Sequence, residues 1–285
     1  MTAYNRPTEL NRLLRALDHE GNSVFLHVDK KAGDALIRQL YLPAHAELRL
    51  APRYESNWGS NTFIEAILNT LHVALDHEWD IVHLLSGTDL PIKSHEHITS
   101  FLRQNSKKIF VQYAPENYWW GEYKSQVFHP FVNNPRFHSD RKLRAINQLI
   151  ARLQLALGVR RDRAVRAYHG STWWSLPRDV AELLSSERAQ IVHRYRKTLV
   201  CDEVFLQTFL MDRGLQGRLY KFEDGIAGNL RYIDWERRSR NSPYTWTMSD
   251  LEELKKSPDD ILFARKFEDD IDPRIGPAII DFISR

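Results

Sequence analysis

Apolar residues recur at helical spacing at Leu10, Leu13, Leu14 and Leu17, between a polar start and Gly21. This pattern predicts a helix with Thr8 as its cap and Glu9 in its first turn. A short apolar run, Val24-Phe25-Leu26-His27-Val28, then reads as a buried strand ending in Asp29. Ligands bind at such strand ends in open α/β sheets. Phe63, Ile64, Ile67, Leu68, Leu71 and Leu75 mark a second helix, and Asp80 to Leu85 a strand that runs into Ser86-Gly87-Thr88-Asp89-Leu90-Pro91. A helix near His95 to Arg103 and a strand near Lys108 to Gln112 continue the alternation. The expected fold is α/β, a mostly parallel central sheet with helices on both faces, built as one domain over residues 1–285.

Two stretches break this rhythm. Residues 113–139 hold Tyr113, Tyr118, Trp119, Trp120, Tyr123, Phe128, Phe131 and Phe137 without periodicity, as a functional loop would. From Arg136 to Arg166 there are nine basic residues against Asp140 and Asp162, a local +7 in a chain whose total is +3. Within residues 136–166, Leu143, Ile146, Leu149, Ile150, Leu153 and Leu157 fall at helical spacing. This is a basic amphipathic segment whose apolar side either packs into the core or rests on anionic lipid headgroups.

Composition narrows the classes. With 42% hydrophobic and 27% charged residues, the 285-residue chain is neither disordered, collagen-like nor a coiled coil. A net +3 is too slight for a nucleic-acid or general polyanion binder, while eight Trp, eleven Tyr and thirteen Phe supply flat faces that suit sugars and bases. A single cysteine, Cys201, excludes an internal disulfide and a Cys-rich zinc site and fits a reducing compartment. No apolar run approaches the roughly 20 residues that span a bilayer, so the expected location is cytoplasmic, with peripheral contact at the inner membrane face.

Candidate metal motifs are weak. Asp270-Ile271-Asp272 has the spacing by which nucleotide-sugar enzymes hold a divalent cation, and His95-Glu96-His97 is a short His pair, but neither has a third ligand nearby. No Gly-rich phosphate loop occurs, which removes the main support for a P-loop or Rossmann dehydrogenase. Gly170-Ser171-Thr172-Trp173-Trp174 is strand-like and aromatic, and Asp202-Glu203 opens an apolar helix, either offsetting the helix dipole or supplying a catalytic carboxylate. Leu262-Phe263-Ala264-Arg265-Lys266-Phe267 holds two cations between apolar anchors, a pairing that can grip a diphosphate.

In their order and separations, His83-Leu84-Leu85-Ser86-Gly87-Thr88-Asp89-Leu90-Pro91-Ile92-Lys93, Gly170 to Trp174, Asp202-Glu203-Val204-Phe205 and Leu262 to Phe267 resemble the Core-2/I-branching glycosyltransferases. That family, glycosyltransferase family 14, includes β-1,6-N-acetylglucosaminyltransferases and peptide O-xylosyltransferases. The resemblance covers nearly the whole chain and implies a GT-A-type fold and inverting transfer from a UDP-sugar to a glycan or glycolipid hydroxyl, without a divalent metal or other cofactor. It implies Glu203 as the catalytic base, Asp29, Tyr54, Arg240, Arg265 and Lys266 on the donor side, and Trp173 and Trp235 on the acceptor side. N-acetylglucosamine is the first expectation for the sugar and xylose the alternative. Eukaryotic members carry a membrane anchor and several disulfides, so this chain resembles a bacterial relative; its start, close to where the first strand should end, leads us to expect that strand to be shortened.

Two other classes compete. A glycoside hydrolase needs two carboxylates flanking one bond, and only Glu203 has a persuasive setting. A non-catalytic sugar-binding relative would keep the aromatics and could lose the base, and Glu203 speaks against it.

Overall fold

The computed structural model describes residues 1–114, 125–161, 166–222, 228–237 and 242–284. Strands β1 (Thr2–Ala3), β2 (Ser23–Val28) and β3 (Glu47–Leu50) form a parallel sheet in the order β1-β2-β3. A parallel bridge from Thr2 to Ser86 carries the sheet on toward β4 (Ile81–His83), which pairs antiparallel with β6 (Ser175–Pro177). A third ladder sets β8 (Phe263–Arg265) between β5 (Asp89–Pro91), antiparallel, and β7 (Arg231–Ile233), parallel.

The fold is thus mixed α/β with a small parallel sheet, and the single mostly parallel sheet of the sequence reading is divided into three ladders. The strand expected near Lys108 to Gln112 is reduced to bridges, Ile109 to Leu219 and Phe110 to Ser175. Each of these residues turns to a different neighbour, so no ladder of several residues grows there.

Helices pack where their apolar stripes point. Helix α1 (Pro7–Ala16) starts one residue before the predicted cap: Pro7 takes the first turn, where its missing N–H is harmless, and Arg6 caps with a left-handed backbone at φ 61°. Leu10 and Leu14 join Val24, Leu26 and Val28 in the core over β1 and β2. After α2 (Ala35–Arg38), helix α3 (Asn61–Ala74) is capped by Ser60, whose side chain accepts from the Thr62 N–H at 3.3 Å. It buries Ile64, Ile67, Leu68 and Leu71 against Leu176, Val180 and Leu184 of β6 and α6 (Arg178–Ser186). Residues of α7 (Arg188–Arg194) and α8 (Phe205–Asp212) close the same core. A second core gathers β5, β8 and Trp246 with α9 (Leu251–Lys255) and α10 (Ile275–Ile283).

The candidate His pair is structural: in α4 (His95–Gln104) the His95 ring stacks on His19 at 4.2 Å, and His97 meets the Asp259 carbonyl at 2.7 Å. The basic segment forms a helix, α5 (Arg141–Ala156), capped by Asp140. Its apolar residues divide: Ala151 is buried beside Asn147, Leu143 and Ile150 are half-buried, and Ile146, Leu149, Leu153 and Leu157 are exposed. The expected functional loop is described only in part, because residues 115–124 lie outside the described ones.

A buried polar cluster ties the ladders together. The Arg231 guanidinium, fully enclosed, donates to the carbonyls of Leu84 (3.2 Å) and Trp174 (2.8 Å) and to Ser175 Oγ (2.7 Å). Ser175 Oγ in turn lies 2.7 Å from His83 Nδ1. Burial, reinforced by the Arg231 charge, holds the His83 imidazole neutral, its pKa pushed down to about 3. Between pH 6.5 and 3 the unfolded chain takes up a proton that native His83 refuses, so stability falls as pH falls through that window, by at most about 1.4 kcal/mol per unit from this group. Urea midpoints at pH 7 and 4 should therefore separate less in His83→Gln than in the wild type. Equal separations would remove His83 from this role.

Candidate active site

Asp29 emerges at the C-terminal end of β2, and its N–H donates to Ala3 of β1 at 2.8 Å. Its carboxylate is almost fully buried and accepts from the Lys31 N–H (2.8 Å), the Ser56 N–H (3.1 Å) and Ser56 Oγ (2.6 Å). Asp29 thereby fastens the loop from Tyr54 to Gly59 onto the sheet. Tyr54 is held by the same strand: its N–H donates to His27 Nε2 at 3.1 Å, and its ring lies nearly parallel to that imidazole.

The loop reaches the Glu203 turn. Gly59, at φ 68°, accepts through its carbonyl from the Val200 N–H at 2.7 Å. Cys201–Glu203 is a separate 3₁₀ turn, with Val204 as the cap before α8. The acidic pair therefore sits outside the first turn of the apolar helix, where an offset to its dipole would have placed it. Asp202 is buried and accepts from Thr172 Oγ1 at 2.8 Å, whereas Glu203 is only partly covered. The Glu203 carbonyl accepts from the Gly170 N–H at 2.9 Å. Gly170 allows this by its size, since a Cβ there would stand 1.8 Å from the Gln112 carbonyl oxygen. The Gly170 to Trp174 and Asp202 to Phe205 motifs are one local assembly.

Trp173 extends that assembly to β8. The Arg265 guanidinium lies over its ring, 4.5 Å from the centroid, and donates to buried Asp89 at 2.7 Å, to Thr88 Oγ1 at 3.3 Å and to Ser86 Oγ. Phe267 N–H donates to the Thr88 carbonyl at 2.9 Å. The Ser86 to Pro91 and Leu262 to Phe267 motifs are thus joined, and Arg265 is engaged by a carboxylate already in place. Lys266 meets Glu268 at 2.9 Å and Ser242 Oγ at 3.1 Å. Glu268, held below the usual carboxylate range despite its burial by hydrogen bonds from Lys266 and Thr245, is shared with Arg6 at 2.9 Å.

The remaining assignments are placed differently. Trp235 follows β7 and is 43% exposed, and Arg240 lies outside the described residues. Asp272 is drawn away from Asp270 by Arg274 and by the Met248 N–H, and Asp270 is exposed beside Arg6. Among the described residues no group of three His, Cys, Asp or Glu side chains is arranged to hold a metal ion. A cavity of about 490 Å³, lined by Phe128, Arg161, Tyr195, Arg196, Lys197 and Thr208 among others, reaches Val204, next to Glu203. None of the described residues assigned to donor or acceptor lines it.

Sequence reasoning missed Ser56, the partner of Asp29, and Trp58, an exposed indole on the loop that meets the Glu203 turn. It also missed buried Arg231, which as one residue of a short strand carries no signal of its own. Ser56 and Trp58 did carry one, since both lie between a strand end and a capped helix, where open sheets place ligand loops.

Comparison with known proteins bears on these motifs. The Core-2/I-branching enzyme family matches residues 1–256. Xylosyltransferase 2 of Mus musculus is 26% identical over 96% of this chain and 32% of its own length. Xylosyltransferase of Ciona intestinalis is 24% identical over 94% of this chain and 31% of its own. Xylosyltransferase 1 of Canis lupus familiaris is 23% identical over 91% of this chain and 28% of its own. The chain spans about a third of the length of the curated relatives it matches.

Proposed function

The chain belongs to the Core-2/I-branching enzyme family, and from that premise we propose that this glycosyltransferase inverts configuration as it moves a sugar from a UDP-sugar to a hydroxyl of a glycan acceptor. The observation that carries the reading is the joining of the Glu203 turn to Gly59, Gly170 and Thr172, with Trp173 stacked on Arg265. Inverting transfer is a single displacement at the anomeric carbon. Glu203 takes the proton of the attacking hydroxyl while positive charge offsets the departing UDP. Lys266 and Arg240 supply that charge, each worth about 4 kcal/mol at 4 Å in an effective dielectric of about 20. For Lys266 this means exchanging Glu268 for the diphosphate. Arg265 fixes Trp173 beside the acceptor path and remains with Asp89. The parallel β1-β2-β3 sheet ending at Asp29 supports a GT-A-type nucleotide-binding half, with Asp29 and Tyr54 beside the base and Trp235 toward the acceptor.

The motifs alone put N-acetylglucosamine before xylose; the relatives, named as xylosyltransferases, favour xylose. One experiment serves both questions: thermal protection and transfer measured with a panel of UDP-sugars, with and without excess EDTA. Activity is expected to survive EDTA, because fixed cations rather than Asp270 and Asp272 meet the diphosphate. Activity that vanishes with EDTA and returns with Mn²⁺ would overturn the assignment of Lys266 and Arg240.

A further inference from the structure

The side of helix α5 that faces the body is mixed, with Leu143, Ile150 and Ala151 covered beside Asn147 and Gln154. Asn147 and His129, both buried, meet at 2.9 Å, and Gln154 exchanges two hydrogen bonds of 2.9 Å with the Phe128 backbone. Arg144 donates to the His138 carbonyl, and Asp140 caps the first turn. These contacts fix which side faces the body. The opposite side is apolar: Ile146, Leu149, Leu153 and Leu157 are 47%, 58%, 52% and 78% exposed. Their spacing of three, four and four residues places them in one stripe, about 16 Å long at 1.5 Å per residue.

The charged residues from Arg141 to Leu157 all have one sign. Exposed Lys142 continues it at its N-terminal end, and exposed Arg141 and Arg152, about three turns apart, line one flank. No acidic residue occurs from Arg141 to Leu157. A second copy laid on the same face would set like charges against each other. An anionic bilayer meets both halves of the pattern, since the leucines enter the headgroup boundary and the long basic side chains reach lipid phosphates.

We propose that the exposed face of α5 seats the enzyme on an anionic membrane surface. This goes beyond the transfer reaction and does not depend on which sugar is moved. Each engaged cation strengthens attachment about fivefold, so the cations make it anion-selective and salt-sensitive, and the apolar stripe gives a salt-resistant remainder.

The test is flotation of the 285-residue chain with phosphatidylcholine vesicles and with vesicles in which about a third of the lipid is phosphatidylglycerol, at low and high salt. Binding is expected to be far stronger to the anionic vesicles than to phosphatidylcholine at low salt, and reduced but not abolished at high salt. Leu149→Ser with Leu153→Ser should lower it at least tenfold, and Arg141→Gln with Arg152→Gln by a similar factor, with thermal midpoints within about 2 °C of wild type because all four side chains are exposed. Equal binding to both lipids, or leucine variants that bind as the wild type does, overturns the proposal. So does a concentration-dependent dimer that the leucine substitutions abolish, because a second copy then covers the face.

Discussion

Glu203→Gln should lose about 10²- to 10⁴-fold in turnover while keeping the thermal protection given by UDP. The substitution keeps the size of a partly covered side chain and removes the group that accepts a proton. The turn that carries it is held through its backbone, by Gly170 on the Glu203 carbonyl and by Gly59 on the Val200 N–H. None of those bonds involves the Glu203 carboxylate. Asp202 provides the contrast, because its carboxylate is buried against Thr172. Asp202→Asn should therefore lower stability first and turnover as a consequence. A folded Glu203→Gln enzyme with turnover within threefold of wild type would show that another group takes the proton.

Gly170→Ala should be nearly as damaging, through geometry rather than chemistry. The added methyl would meet the Gln112 carbonyl oxygen at 1.8 Å and Gln207 Nε2 at 2.7 Å. Gln207 is fully buried, with Nε2 donating to the carbonyls of Gln112 and Ser171, and the Gln112 carbonyl belongs to the backbone beside Tyr113, which bridges Gly170 itself. The two segments must separate. Forced overpacking of this kind costs about 1–3 kcal/mol or more, and a shift of about 1 Å in a catalytic group can cost about 10²-fold in rate. Both effects are expected together, read as a lower urea midpoint and a lower turnover. Gly217→Ala is the control, with no atom within 4 Å of the new methyl and no positive φ, and should change neither. A Gly170→Ala enzyme with wild-type stability and turnover would mean that the close crossing does not position Glu203.

Strand β2 and helix α3 were legible because in each the apolar period and the flanking residues agree. In α3 the stripe of Ile64, Ile67, Leu68 and Leu71 follows directly on a serine cap. The three-residue strands β5 and β8 were not, since Asp89-Leu90-Pro91 and Phe263-Ala264-Arg265 are too short for a periodic signal. Their pairing depends on partners more than 170 positions apart. The direction of α5 was illegible for another reason. A period shows that a helix has two faces and leaves open which one is inward, and here a buried Asn147–His129 pair decides it. At the site, the motif order pointed to Glu203 and to Arg265 and Lys266 at the end of β8, but the contacts that bind those motifs together pass through Thr172, Ser86 and Asp89, ordinary residues in a one-dimensional reading.

The position of β8 at the centre of its ladder, between β5 and β7, also sets a timetable for synthesis. A ribosome has made Asp89, Trp173 and Glu203 well before it reaches Phe263–Arg265. Until then β5 and β7 have no strand between them, and Asp89 waits for a guanidinium 176 positions downstream. Contacts that distant form slowly, and the unpaired edges that await them are places where nascent chains associate wrongly. On the proposed reading, the donor side of the site is completed last, and a growing chain that already carries Glu203 is not yet able to transfer a sugar.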